Sequence, residues 1–281
     1  MYGVKIMEYF DAHCDFLWCR ATGRVSALEE KRVNGKITLA VFEGDMSLDL
    51  IKRQINIYKT QTTVRNSRIA FEGLSWAKEG DEAFILSLAP LYVAPVWNRK
   101  NAFGGSCRDD GPVTARGKEF LHKFDEKNIY IDLAHSGREM FASCADTFEN
   151  IMFSHGCIYD IVPHPRNITK GQLKILIERN AFFGLTFYSG FAGKSTEDFF
   201  RHIEYVLDAG GENILGIGSD IDGCNDVVLP ARGADAFEFL KNEMRKRNYP
   251  EKIIDNILFE NLKKRETKQF AEKTQESEKN R

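Results

Sequence analysis

The sequence contains no Cys-x-x-Cys pair, no internal repeat of fixed period and no low-complexity linker. Nor does it contain an apolar run near the roughly 18 residues that a membrane helix requires. These absences argue against a zinc knuckle, a redox dithiol, a solenoid, a chain split into separate units and a spanning segment. Cysteines at 14, 19, 107, 144, 157 and 224 are scattered, and a chain this long does not need disulfide staples, so the thiols are read as reduced. Met1 to Phe10 shows no secretory apolar stretch and the charged C-terminal end shows no lipid-anchor tail, so the expected location is the cytoplasm, away from any membrane. Charge of one sign is also lacking: 39 basic against 41 acidic residues leave a net charge of −2 and no electrostatic reason to bind nucleic acid.

What is present is an ordinary folding composition, 43% hydrophobic and 28% charged over 281 residues, enough for one large core. Short apolar or β-branched runs alternate with helical patterns, as βα units around a parallel sheet do. Eight runs are found, at Tyr9–Asp15, Ile37–Phe42, Arg68–Glu72, Leu91–Trp97, Ile129–His135, Ile151–His155, Ala181–Tyr188 and Ile214–Asp220. That count predicts a closed α/β barrel of the (β/α)8 TIM type. Pro95 within the fourth run predicts a bulge or an early strand end, because proline forfeits a ladder donor. Thr114, Thr169 and Ser195 are expected to cap helices, and Pro250 to open a last one carrying Ile253, Ile254, Ile257, Leu258 and Leu262. The expected organisation is a single barrel domain over residues 1–262 and a frayed, disordered, charged tail over 263–281.

The informative residues close these runs. The carboxyl ends of barrel strands face the active site, and here they carry Asp11-Ala12-His13-Cys14-Asp15, Glu72, Asp132-Leu133-Ala134-His135, Ser154-His155 and Ser219-Asp220-Ile221-Asp222. His13 and Asp15 are two apart on a strand and share a side, whereas Cys14 points away. Imidazole with carboxylate suits zinc or a neighbouring divalent transition metal rather than magnesium or calcium. The ligands outnumber the needs of one open ion. Glu72 as a bridge between two ions about 3.5–4 Å apart, with His13 and Asp15 on one and His135 and His155 on the other, accommodates them all. Singly, each residue has a bland reading: a core histidine bonded to backbone, or a rim acid paired with an arginine. Together, five ionisable groups closing apolar strands would be costly to bury without a shared partner. His122, His164 and His202 are read as surface or structural. Gly216-Ile217-Gly218 lacks the third glycine of a dinucleotide loop, and Asp220 with Asp222 lacks the remaining positions of an EF-hand.

At these residues the chain resembles the membrane (renal) dipeptidase family of binuclear zinc peptidases, in a short bacterial-type form. The resemblance spans nearly the whole chain before the tail. It rests on the ordered set His13/Asp15, Phe71-Glu72-Gly73, Ile131-Asp132-Leu133-Ala134-His135-Ser136, Phe153-Ser154-His155, Arg166-Asn167 and Gly216 to Gly223. It implies a metallo-dependent hydrolase barrel, two zinc ions bridged by Glu72, and hydrolysis of dipeptides through a metal-bridging hydroxide. His13, Asp15, Glu72, His135 and His155 then correspond to the metal ligands and Asp220 to the acid/base. Arg166 corresponds to the residue that grips the substrate carboxylate, a task suited to a guanidinium fork. Trp97 stands where the best-characterised members have a histidine that polarises the scissile carbonyl. Two replacements are open: Asn98 and Asn101 supplying hydrogen bonds instead, or Trp97 lining the substrate pocket as an apolar wall. Two other readings stay open: an amidohydrolase, lactonase or phosphoesterase on the same barrel, and a catalytically inactive binding homologue. The oligomeric state is also open, a homodimer included.

Overall fold

The computed structural model describes residues 8–28, 35–44 and 47–269. Eight strands appear in the order expected: β1 (Phe10–Cys14), β2 (Lys36–Phe42), β3 (Ser67–Glu72), β4 (Tyr92–Ala94), β5 (Tyr130–Asp132), β6 (Ile151–Gly156), β7 (Phe183–Leu185) and β8 (Leu215–Ile217). Each pairs in parallel with its successor, and Asp11 of β1 opposite Ile217 of β8 closes the ring. The fold is a (β/α)8 barrel. The middles of the strands are mostly apolar because both faces are covered, one by side chains filling the barrel and one by the helices outside, and the polar residues gather toward the strand ends.

Local chemistry explains the boundaries. β4 stops at Ala94, directly before Pro95, whose carbonyl instead accepts from the Asn101 amide at 2.8 Å. Thr114 accepts from the Gly117 N–H at the start of helix Ala115–Asp125. Thr169 and Ser195 form reciprocal capping boxes with Gln172 and Asp198. The helix opened by Pro250 passes through a π turn at Asn256–Glu260, where the Asn261 side chain reaches the Leu215 carbonyl at 2.8 Å.

The expectation of a frayed tail from residue 263 is corrected over its first part. The helix continues through 261–269, and Arg265, Glu266 and Gln269 are buried. Glu266 pairs with Lys36 at the start of β2, with Arg68 near the start of β3 and with Lys263. Arg265 donates to the Asn180 carbonyl at 2.7 Å, and Gln269 to the Pro90 carbonyl at 2.6 Å. This polar helix therefore stops the amino end of the barrel, and its buried Arg265 and Glu266 meet partners distant in sequence. The rest of the expected tail, 270–281, lies outside the described residues.

Candidate metal centre and substrate cavity

The carboxyl ends of the strands frame a cavity of about 640 Å³, lined among others by Asp15, Glu72, His135, His155, Arg166 and Asp220. Glu72, the last residue of β3, sits between the histidines. Its Oε2 is 3.6 Å from His13 Nε2, and its Oε1 is 2.8 Å from His135 Nε2 and 3.6 Å from His155 Nε2. His13 Nε2 also lies 3.6 Å from Asp15 Oδ2. The expected same-side placement of His13 and Asp15 is found, and Cys14 turns away to the Ile221 carbonyl. Asp15 itself already lies beyond β1, at the start of helix Phe16–Ala21, so the turn as well as strand alternation aims it.

Each imidazole has its other nitrogen held. Tyr92 Oη is 2.7 Å from His13 Nδ1, Asn98 Oδ1 is 3.0 Å from His135 Nδ1, and Ser154 Oγ is 2.8 Å from His155 Nδ1. Ser154 in turn donates to Asp132 Oδ2 at 2.6 Å. An N–H on each Nδ1 leaves the three Nε2 lone pairs directed at one another and at Glu72. His135 and His155 Nε2 are 3.1 Å apart, and His13 Nε2 and Asp15 Oδ1 are buried without a hydrogen-bond partner. Two sets of ligand atoms, His13/Glu72/His155 and His13/Asp15/Asp220, lie close enough to share an ion.

The electrostatics ask for positive charge. Burial first, then Asp15, pushes the Asp220 carboxyl up to about 7, and burial raises Glu72 well above the usual carboxylate range. Burial lowers His135 and His155, with Arg166 and His13 adding to it. His13 moves the other way, to about 10, because Glu72 and Asp15 outweigh its desolvation. Two buried carboxylates, Asp15 and Glu72, and the half-buried Asp220 face three imidazoles and fit divalent cations, whose charge neutralises the acids and whose coordination suits nitrogen and oxygen donors.

The ends of β5 and β8 reach the site through a backbone that only tight tethering sustains. His135, Asp220 and Asp222 have φ of 69°, 61° and 70°, in the left-handed region. The His135 carbonyl is held by the Cys107 N–H at 2.8 Å, and Asp220 N–H by the His13 carbonyl at 3.1 Å. Asp222 spends its carboxylate on Ser26 Oγ and the Ala27 N–H, fixing the segment after helix Phe16–Ala21 instead of facing the cavity. A Cβ at Gly223 would collide with the carboxylates of both Asp15 and Asp220, so glycine there lets those acids meet.

Arg166 is 3% exposed, donates one bond of 3.4 Å to the His155 carbonyl and leaves Nε and Nη1 without partners. Its guanidinium lies 5.4 Å from the centre of the Phe191 ring. Trp97 and Asn98 also line the cavity. Asn98 gives its carbonyl oxygen to His135. Asn101 does not reach the cavity, since its side chain is spent on Pro95, Ser75 and the Phe103 N–H. His202 is structural as expected, accepting from Ile158 N–H and bonding the Ala192 carbonyl. His164 departs from the expected surface or structural role: it lines the cavity beside Arg166, whose N–H donates to its Nδ1 at 3.1 Å. Trp18, Phe42 and Phe191 are further lining residues that sequence reasoning missed. Phe42 could have been found as the final residue of β2, one of the strand ends from which no polar group was sought.

A family model for membrane dipeptidase, peptidase family M19, matches residues 83–278. The chain belongs to that family. The family's matched region begins after His13, Asp15 and Glu72, so it is the barrel geometry that joins these three to His135 and His155. Membership makes the protein one of the metallo-dipeptidases, hydrolases of the peptide bond. An uncharacterised Klebsiella pneumoniae protein from the pqqA 5′ region is 27% identical over 188 residues, 60% of this chain and 68% of that protein. Two further curated relatives are spanned over only 42% and 44% of their lengths. Among solved structures, an M19 metallopeptidase described as dipeptidase AC superposes with a TM-score of 0.79 at 20% identity, covering 92% of this chain and 97% of that one. A Rhodobacter sphaeroides metallopeptidase liganded with a phosphinate mimic of L-Ala-D-Ala gives 0.76 at 18% identity, covering 91% and 97%. Among the described residues, no helix is long and apolar enough to cross a membrane.

Proposed function

We propose that this member of the family hydrolyses dipeptides with two zinc ions held by His13, Asp15, Glu72, His135 and His155. The observation that carries the reading is the pairing of two unsatisfied features in one cavity. Imidazole and carboxylate donors converge, with His13 Nε2 and Asp15 Oδ1 left without partners, and a buried guanidinium beside them has two open nitrogens. The first feature fits divalent cations and the second fits the carboxylate that ends a short peptide. Bound among these donors, the ions would supply Lewis acidity, making a water more acidic and a carbonyl more electrophilic.

The chain's own residues do the rest. Arg166 fixes the substrate carboxylate and so sets the distance from the C-terminus at which cleavage occurs. Asp220, half-buried beside Asp15, takes a proton as water adds to the scissile carbonyl and returns it to the amine nitrogen as the C–N bond breaks. Asn98 and Ser154 hold His135 and His155 in the orientation that keeps Nε2 on the donor cluster. Trp97, half-buried between Phe42 and His135, forms an apolar wall. The expected substrate is a small peptide and the expected location is the cytoplasm.

Zinc-loaded protein assayed on dipeptides, a carboxyl-amidated dipeptide, lactones and phosphodiesters, with and without chelator, tests the assignment. Chelator-sensitive cleavage of free dipeptides alone is expected. Preferential cleavage of a lactone or phosphodiester would replace the reading, and no turnover of any substrate would leave a binding protein.

A further inference from the structure

We propose that the cavity selects dipeptides whose first residue carries a large apolar side chain, held by Trp18, Phe42 and Trp97. This rests on the dipeptidase reading and specifies its substrate class. The three half-buried rings form one surface. Trp18 meets Phe42 nearly edge to face at 5.7 Å and 75°, and Phe42 meets Trp97 at 4.8 Å and 69°. Trp97 ends 6.1 Å from the ring of His135, so the wall runs from the cavity mouth to the donor cluster.

The topology places this wall opposite Arg166. Phe42 ends β2, and Arg166 lies in the segment after β6, bonded to the His155 carbonyl. In a closed ring of eight sequentially ordered strands, β2 and β6 face each other across the barrel. A dipeptide with its carboxylate on Arg166 and its scissile carbonyl at the histidine–glutamate cluster spans from the β6 side toward β2. Its first side chain then meets the aromatic rings.

The wall is built rather than incidental. Phe42 is pinned by its backbone, whose N–H donates to Gln54 Oε1 at 2.9 Å and whose carbonyl accepts from Gln54 Nε2 at 2.7 Å. The neighbouring Glu43 is turned away, accepting from Ser75 N–H at 2.7 Å. Arg24 covers the outer part of Trp18, 4.8 Å from its ring centre. Of the other charged groups of the cavity, Asp220, Asp226 and Arg108 come from other segments, Glu72 sits among the histidines, and Asp15, at the start of the helix that carries Trp18, is turned to His13. An apolar side chain placed against these rings leaves water without unpairing a polar group, whereas a charged one loses its hydration.

The test uses zinc-loaded enzyme and dipeptides that share a C-terminal alanine: Phe-Ala, Leu-Ala, Gly-Ala and Asp-Ala. Phe-Ala and Leu-Ala are expected to exceed Gly-Ala in kcat/KM by roughly ten- to hundredfold, with Asp-Ala the poorest. Phe42→Ala and Trp97→Leu should each bring the Phe-Ala to Gly-Ala ratio toward one. As a binding readout, tryptophan emission of the zinc-loaded Asp220→Asn protein should respond to Phe-Ala at lower concentration than to Gly-Ala. Equal kcat/KM across the panel, or a ratio unmoved in a folded Trp97→Leu protein, overturns the proposal while leaving dipeptidase activity in place. Absence of cleavage of every dipeptide is a different result and defeats the dipeptidase reading with it.

Discussion

His135 and His155 bring their Nε2 atoms to 3.1 Å from each other while their Nδ1 atoms are bound to Asn98 and Ser154. Two imidazole lone pairs at that separation repel unless a proton or a cation lies between or beside them, and burial disfavours protonation of both rings. The arrangement is therefore one that a divalent ion stabilises, and its supporting hydrogen bonds can be tested separately from the ligands.

Ser154 links His155 to Asp132, so Ser154→Ala should weaken zinc binding about 10- to 100-fold while leaving the ligand set intact. Tyr92→Phe should do the same through His13. Competition against a chromophoric chelator measures both. Unchanged affinity in both variants would show that these hydroxyls do not set the rings.

Asp220→Asn retains the shape of the carboxyl group but cannot accept the proton. Zinc content near that of the wild type is expected, with kcat lowered about 100- to 10,000-fold. Near-normal turnover by a variant verified by mass spectrometry would remove Asp220 from the chemistry.

For Arg166, the informative comparison is between a free dipeptide and its carboxyl amide. Arg166→Lys should keep the charge but lose the fork, lowering kcat/KM on the free dipeptide by about tenfold or more and scarcely altering the already poor amide. Equal losses on both substrates would indicate a purely structural arginine.

His202 gives a pH dependence outside the site. Burial lowers its pKa from 6.5 to about 4, so the folded protein keeps the ring neutral where the unfolded chain binds a proton. Its contribution to stability is fully present above pH 6.5 and is lost as the pH falls toward 4, by on the order of 3 kcal/mol in all. His202→Gln can still meet the Ile158 N–H and the Ala192 carbonyl, so urea denaturation should show a shallower loss of stability between pH 6.5 and 4.5 than in the wild type. Parallel curves for the two proteins would contradict the assignment.

The helix at 261–269 supplies the last test. Glu266→Gln leaves Lys36 beneath the barrel without its counter-charge, and should destabilise the fold by about 3 kcal/mol in chemical denaturation while leaving zinc affinity unchanged. A stability within about 0.5 kcal/mol of wild type would mean that the helix does not hold the barrel's amino end.

The strands were legible because each is a short apolar run covered on both faces, and Pro95 marked where β4 must stop. The convergence of imidazoles and carboxylates was legible because ionisable residues at the ends of such runs are costly unless they meet. The tail was misread for the opposite reason. Arg265 and Glu266 look like solvated charge in one dimension, and their partners Asn180, Lys36 and Arg68 are remote in sequence. His164, Trp18 and Phe42 were missed because no local pattern separates a cavity-lining ring from a core or surface ring.

By itself the amino-acid order determined eight buried strands and the donor types at their carboxyl ends, since hydrophobic periodicity and the cost of burying charge are properties of residue type and spacing. Tertiary structure alone decided how those donors meet. Ring closure of β1 onto β8 carries Asp220 to His13, left-handed backbone at His135 and Asp220 aims their side chains, and a missing Cβ at Gly223 makes room for two acids. These are consequences of packing in three dimensions, where contact is set by the closed barrel and not by distance along the chain.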